Sequence, residues 1–260
     1  MKPFLILITA FLCACSGNDS ADVPTTPIVD VSDNEGSSVD DDSMDSMDED
    51  GENPDVGSPD PVDPEPALEA TYQVTFKSEW TESDHLGLPS NAHFSPIVLT
   101  VHSSSYRLFP IGERASSGFE RVAETGNATD LNSEVRAQIR RGRVLSSFNT
   151  DDMFLRDTSS QTFKITVTRT NSLVSFVTMI APSPDWVVGL DSLDLLDNDG
   201  SFLSSIERDL FAYDGGTEEG DVGGNFSIRN RSTSPRERIS RLRGRGFDKP
   251  FASVDFVKID

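Results

Sequence analysis

From Thr71 onward the chain runs in short stretches where apolar residues alternate with polar ones. This pattern constrains the fold more than any other feature of the sequence. Tyr72, Val74 and Phe76 alternate with Gln73, Thr75 and Lys77. A strand points successive side chains to opposite faces, so such a run buries one face and wets the other. Phe163, Ile165 and Val167 repeat the pattern, and Ala252 to Ile259 repeats it near the C-terminal end. Pro96 to Val101 is a more continuous apolar run and reads as a core strand. Leu173 to Ile180 follows Phe163–Val167 after a turn at Thr170-Asn171, so these two runs are expected to form a hairpin-like pair. Leu131 to Arg143 has helical spacing instead, with Leu131, Val135 and Ile139 four residues apart, and Gly118 to Glu124 adds a helical turn. Many short antiparallel strands with few helices predict an all-β fold: one antiparallel β-sandwich with one or two short helices.

The N-terminal quarter has a different texture. Residues 1–14 form a short apolar run behind Lys2, too short to span a bilayer as a helix, and read as a secretory signal. Leu12-Cys13-Ala14-Cys15 resembles a bacterial lipobox, which implies cleavage before Cys15 and acylation of that cysteine. Ser16 behind it resembles the sorting signal of lipoproteins sent on to the outer membrane. With Cys15 lipidated, the mature chain has neither a free thiol nor a disulfide, which removes cysteine catalysis and cysteine-based metal sites. Residues 16–70 hold 18 Asp or Glu and no Lys, Arg or aromatic residue. Such a segment buries too little apolar surface to offset its ordering entropy. Residues 15–70 are therefore expected to be a lipidated cysteine and a disordered acidic tether, its ends roughly 40 Å apart as a coil. The chain's net charge of −22 sits mostly there. Residues 71–260 carry 21 of the 22 basic and 26 of the 44 acidic residues, a net charge of only −5. The acidity argues against nucleic acid as a partner.

Within residues 71–260, the stretch Ser183–Gly220 places carboxylates on turns. Asp185 follows Pro184, and Asp214, Glu218 and Glu219 are interleaved with Gly215, Gly216 and Gly220. Carboxylates on tight turns, with carbonyls freed by glycine, suit a hard oxygen-ligated cation such as Ca²⁺; ordinary solvated loops have the same composition. Asp197-Asn-Asp-Gly200 echoes a calcium loop, but Leu195 and Ile206 stand where an EF-hand needs acids, so it reads as a turn. His85, His93 and His102 are too few and too scattered for zinc. The chain has no Gly-x-Ser-x-Gly elbow, no phosphate loop and no Cys–His arrangement, so no enzyme activity is expected.

In order, the chain shows Tyr72-Gln-Val-Thr-Phe76 with Trp80, His93-Phe-Ser-Pro96, His102-Ser103 and Gly112-Glu-Arg-Ala-Ser-Ser-Gly118 with Ala123-Glu124. It continues with Ser183-Pro-Asp-Trp186, Val188-Gly189-Leu190 and Tyr213-Asp-Gly-Gly-Thr-Glu218. These clusters resemble the spondin domain, a module of extracellular matrix and adhesion proteins, over roughly residues 71–258. The resemblance implies a C2-like antiparallel β-sandwich with calcium at its loop end, held by Asp185, Asp214 and Glu218. Tyr213, Ala212, Gly215 and Phe202 replace the family's usual Trp, Pro, Ala and Trp. Glu218 replaces a usual Asp, which carries its carboxylate about 1.5 Å further out.

Between Arg229 and Arg245 stand seven arginines, at 229, 231, 236, 238, 241, 243 and 245; Arg136, Arg140, Arg141 and Arg143 add four more. They fit a solvated surface, or an anion site, since guanidinium pairs bidentately with carboxylate, sulfate or phosphate. The expectation from sequence is thus a calcium-binding envelope lipoprotein, held to outer-membrane lipid through Cys15, that contacts a surface protein or glycan on the cell-surface or periplasmic side. The alternatives are a carbohydrate- or anion-binding module, or a structural lipoprotein with calcium as a loop staple.

Overall fold

A computed structural model describes residues 67–85, 87–150, 159–219, 226 and 232–260. The signal segment, Cys15, the tether up to residue 66, and Arg229 and Arg231 lie outside these residues.

The first predicted strand is β1 (Glu69–Ser78), where every second residue from Ala70 to Ser78 is buried. It is the centre of a four-stranded sheet. On one side it pairs with β5 (Ser160–Thr168) and on the other with β11 (Ala252–Lys258), which in turn pairs with β8 (Ser205–Leu210). The β1–β11 register runs antiparallel from Tyr72↔Lys258 to Ser78↔Ala252.

The second sheet is larger. Its order is β10 (Ser240–Arg241), β9 (Tyr213–Asp214), β7 (Trp186–Asp194), β6 (Leu173–Ala181), β3 (Val98–His102) and β4 (Val144–Asn149), and the two-residue β2 (His93–Phe94) also pairs with β6. Between the sheets lies an aromatic core. Tyr72, Phe76, Phe94, Phe176 and Phe256 are fully buried there, and Phe76 meets Phe94 edge-on at 5.3 Å. Each such side chain contributes about 1.5–3 kcal/mol relative to exposure.

The outer face of the second sheet is covered too. Two helices, α1 (Ser117–Thr125) and α2 (Thr129–Arg140), bring Phe119, Val122, Leu131 and Val135 against Val98, Val177 and Val187. That second layer explains the continuous apolar run at β3, all of whose residues are buried: Leu99 and Val101 face the inter-sheet core, while Val98 faces the helices. The helices lock to each other through Glu134. It accepts from the backbone N–H of Gly118 (2.8 Å) and from the Ser116 hydroxyl (2.6 Å), while Ser116 Oγ caps α1 by accepting from Phe119 N–H (3.1 Å). Gly126, at φ 68°, ends α1 in a left-handed cap that a side chain would disfavour.

Two expectations change. The helix predicted over 131–143 spans Thr129–Arg140, because Gly142 at φ 69° turns the chain into β4. The hairpin expected between the runs flanking Thr170-Asn171 does not form. β5 pairs with β1 in one sheet and β6 sits between β7 and β3 in the other, so the turn carries the chain across the sandwich. Alternation says that one face of a strand is buried but not which strand lies beside it.

Candidate metal centre

The loop end is built outward from Trp186. Its indole is fully buried against Phe226 (5.5 Å) and Phe247 (5.0 Å), which fixes the start of β7 and the residue before it. The Trp186 backbone N–H donates to Ser183 Oγ at 3.0 Å, closing the Ser-Pro-Asp-Trp turn. Asp185 is thereby held at the end of the sheet, completely buried. β9 pairs with β7 so that Asp214 lies opposite Trp186, and Gly215 N–H donates to the Asp185 carbonyl at 3.0 Å. The approach is close enough to need glycine, since a Cβ at 215 would sit 2.8 Å from that carbonyl oxygen.

The following turn folds over Asp185. Its Oδ2 accepts from Thr217 N–H (2.7 Å), Thr217 Oγ1 (3.2 Å) and Glu218 N–H (3.1 Å), while Asp214 Oδ1 accepts from Gly216 N–H (2.7 Å). Asp185 Oδ1 is buried with no partner. One oxygen of this carboxylate is saturated and the other is unused. An unsatisfied buried oxygen costs about 1–3 kcal/mol, more when charged, so the arrangement invites a cation.

The predicted residues Asp185, Asp214 and Glu218 all stand at this loop end, and the fold adds acids that sequence reasoning did not assign. Glu124, from the last turn of α1, is close enough to raise the pKa values of Glu218 and itself to be raised by the Asp185 charge. Glu237 adds its charge to Asp185 and Asp214. Glu237 N–H also donates to the Gly216 carbonyl (2.7 Å). Burial is the leading cause at every one of the four raised acids. It lifts Asp185 despite its three hydrogen bonds and, with the Asp185 charge, pushes Asp214 up to about 6. Glu218 rises through burial, then Glu124, then Asp185. Glu124 rises through burial, against a hydrogen bond from Thr217. Its Oε1 is a second buried oxygen without a partner. Acids that repel one another in a partly buried site are what a divalent cation relieves.

Among the described residues, no group of three or more His, Cys, Asp or Glu side chains forms a ready-made metal set. The donors here are hard carboxylate oxygens, and they do not close into a cage.

The other candidates resolve differently. Asp197 Oδ1 accepts from Asp199 N–H (3.2 Å) and Ser201 N–H (2.9 Å), the hydrogen bonds of a self-contained turn. His102 is buried, with Ser103 O at 2.9 Å from Nδ1 and Ser175 Oγ at 2.8 Å from Nε2. His85 is buried against the Phe251 ring (4.2 Å), its Nε2 3.2 Å from Pro250 O. Both serve packing. Arg236 forks onto Glu120, Arg238 donates to Gly112 O (2.6 Å), and Arg241 stacks 3.7 Å over Phe211. These three arginines are engaged by the fold itself.

The family model described as Spondin_N matches residues 70–254. The chain belongs to the spondin family. This spondin domain is 34% identical to Spondin-1 of Homo sapiens over 180 residues, covering 66% of this chain and 22% of that protein. It is 32% identical to Spondin-2 of Homo sapiens over 200 residues, covering 73% of this chain and 57% of that protein. Spondin-1 of Gallus gallus is similar at 33% identity over 180 residues, 66% of this chain and 22% of the relative. The chain thus spans about a fifth of Spondin-1 and just over half of Spondin-2. No helix among the described residues is long and apolar enough to cross a membrane.

Proposed function

We propose that this spondin domain is a calcium-binding contact module of the cell envelope, non-enzymatic, and held to outer-membrane lipid through acylated Cys15. Its work is adhesion or matrix contact with a surface protein or glycan. The unused Oδ1 of buried Asp185, among acids that raise one another's pKa values, is the observation that supports calcium most directly. Asp185, Asp214 and Glu218 supply the charged donors. Carbonyls near Gly215–Thr217 and water complete the six to eight oxygens calcium takes. Bound there, the ion neutralises the acids and ties the β6–β7 turn to the segment after β9. The hydrogen bonds from Thr217 and Glu218 to Asp185 already link those two segments, and this also favours a second reading in which calcium acts only as a loop staple.

Loops at the end of a sandwich are not a preorganised cage, so the expected affinity is on the order of 10⁻⁴ to 10⁻³ M. Calorimetry of the full chain with Ca²⁺ tests the site against Asp185→Asn and Asp214→Asn. The wild type should give heat that both variants lose; equal heats from all three place calcium elsewhere. Pull-down from intact cells with and without Ca²⁺ separates contact from stapling, because a staple alone retains no partner.

A further inference from the structure

The fold sorts the arginines into two kinds. Arg236, Arg238 and Arg241 are engaged by neighbouring groups, and Arg107 pairs with Asp191 and Glu113. Arg243 and Arg245 are exposed, but Asp248 shares their turn and accepts from Gly244 N–H (3.1 Å). The group at the end of α2 is different. Arg136, Arg140, Arg141 and Arg143 are all exposed, and residues 135–150 contain no acid. The acids of α2 are already engaged: Asp130 pairs with Arg121 (3.6 Å), while Glu134 accepts from Gly118 N–H and the Ser116 hydroxyl. Arg136 donates to Ser133 Oγ (2.9 Å). Among the described residues, the side chains of Arg140, Arg141 and Arg143 have no hydrogen bond or ion pair.

The backbone sets these four in a row. Arg136 and Arg140 lie one helical turn apart on the same side of α2. The chain then closes tightly: Arg141 N–H and Arg143 N–H both donate to the Gln138 carbonyl (3.1 Å each), with Gly142 at φ 69° between them. Four cations are thus strung over roughly 10 Å. The helix macrodipole favours a cation at this end, but it is equivalent to only about half an elementary charge, so most of the repulsion within the row stands unrelieved. The surplus is also local. Residues 71–260 carry a net charge of −5, so a polyanion repelled elsewhere on the domain is steered to this face.

A lone sulfate or phosphate fills one or two guanidinium forks, whereas a row of four matches anions repeated along a polymer. Ser133, Ser146 and Ser147 are exposed around the row, and their hydroxyls suit those of a sugar chain. Leu145, 42% exposed, is the large apolar residue beside them, and residues 129–147 carry no aromatic ring. One leucine does not make the apolar face of a membrane-bound surface or the aromatic anchor of a protein interface, and it offers no platform for stacked bases. We infer that this arginine row binds a linear anionic polysaccharide through its sulfate or phosphate groups. The inference names the partner class of the contact module proposed above and rests on that reading, but not on bound calcium.

The test applies the full chain, across a salt series, to immobilised dextran sulfate, a phosphomannan and neutral dextran, with phosphatidylglycerol vesicles and polyglutamate beside them. The wild type should bind a charged polysaccharide, more weakly as salt rises, and ignore neutral dextran. The triple variant Arg140→Gln/Arg141→Gln/Arg143→Gln removes exposed guanidinium groups that hold nothing in the fold. It should bind roughly tenfold or more weakly, with a thermal midpoint no lower than that of the wild type. Arg243→Gln/Arg245→Gln should bind as the wild type does. Retention of neither charged polysaccharide, salt-independent binding, undiminished binding by the triple variant or an equal loss in both variants overturns the inference. So does preference for the vesicles or for polyglutamate, which would make the partner a membrane or an acidic protein. A cellular partner still captured by the triple variant would remove the row and leave the contact module standing. A wild type that binds polysaccharide but captures nothing from cells would count against the contact reading alone.

Discussion

At the scale of single residues, His102 and Asp185 are buried polar groups with opposite bookkeeping. Every hydrogen bond His102 can make is made. Ser192 N–H donates to Ser175 Oγ (2.9 Å), the Ser175 hydroxyl donates to His102 Nε2, and Nδ1–H donates to Ser103 O. Burial holds its pKa below that of a free imidazole, against the hydrogen bond to Ser103 and the Asp191 charge. At this site the unfolded chain therefore binds the proton more readily, so the stability that neutral His102 contributes is lost as pH drops below about 6.5. His85, lowered by burial in the same way, adds to this slope. Asp214, raised to about 6, works in the opposite direction, because the folded chain binds that proton first. The test is therefore the difference between proteins: from pH 7.5 to 5.5, His102→Gln should lose less stability to urea than the wild type does, while costing about 1–2 kcal/mol at pH 7.5. An unchanged slope in the variant would mean that His102 is not held neutral. Asp185 instead leaves one oxygen unmatched, the position that the proposed calcium ion would fill.

At the scale of elements, the two helices matter because of how closely they approach. A Cβ built on Gly118 would lie 2.6 Å from both Cα and N of Leu131, and neither backbone atom can swing aside as a side chain would. Gly118→Ala should separate α1 from α2 at a cost of about 1–3 kcal/mol, measured as a thermal midpoint lower by roughly 2–4 °C per kcal/mol. Since α1 also carries Glu124 to the loops of Asp185 and Glu218, the calcium affinity proposed for them should weaken in the same variant. A full-strength calcium site in a destabilised Gly118→Ala protein would show that Glu124 takes no part. The sequence could not single out Glu124. It lies in a short amphipathic stretch and reaches the site only because α1 packs across β6 and β7. The arginine-rich stretch shows the converse. Spacing alone could not tell a guanidinium bound to Glu120 from one facing solvent.

At the scale of the whole molecule, the division near residue 70 should govern proteolysis. The acidic stretch has no Lys or Arg, so trypsin finds no site there, whereas a protease specific for Asp and Glu finds many. Brief digestion with such a protease should leave a resistant fragment that begins just after Asp55 or Glu69, because Asp60, Asp63 and Glu65 are each followed by proline. Equal resistance of residues 16–66 would contradict the tether expected from composition.

Alternation and turn residues determined by themselves that the chain is all-β, where β1, β3, β5, β6 and β11 run, and that two helical stretches interrupt them. Burial of one face is a local property written every second residue, so these features were readable from sequence. The resemblance to spondin domains also picked out Asp185, Asp214 and Glu218 among many carboxylates. Tertiary structure alone decided which strands are neighbours, separating β5 from β6 into opposite sheets. It also laid the helices over the second sheet, turned Arg236 onto Glu120, and brought Glu124 and Glu237 to the loops of Asp185 and Asp214. Those outcomes depend on which surfaces bury each other across long stretches of chain, and that balance is settled only when the whole core closes.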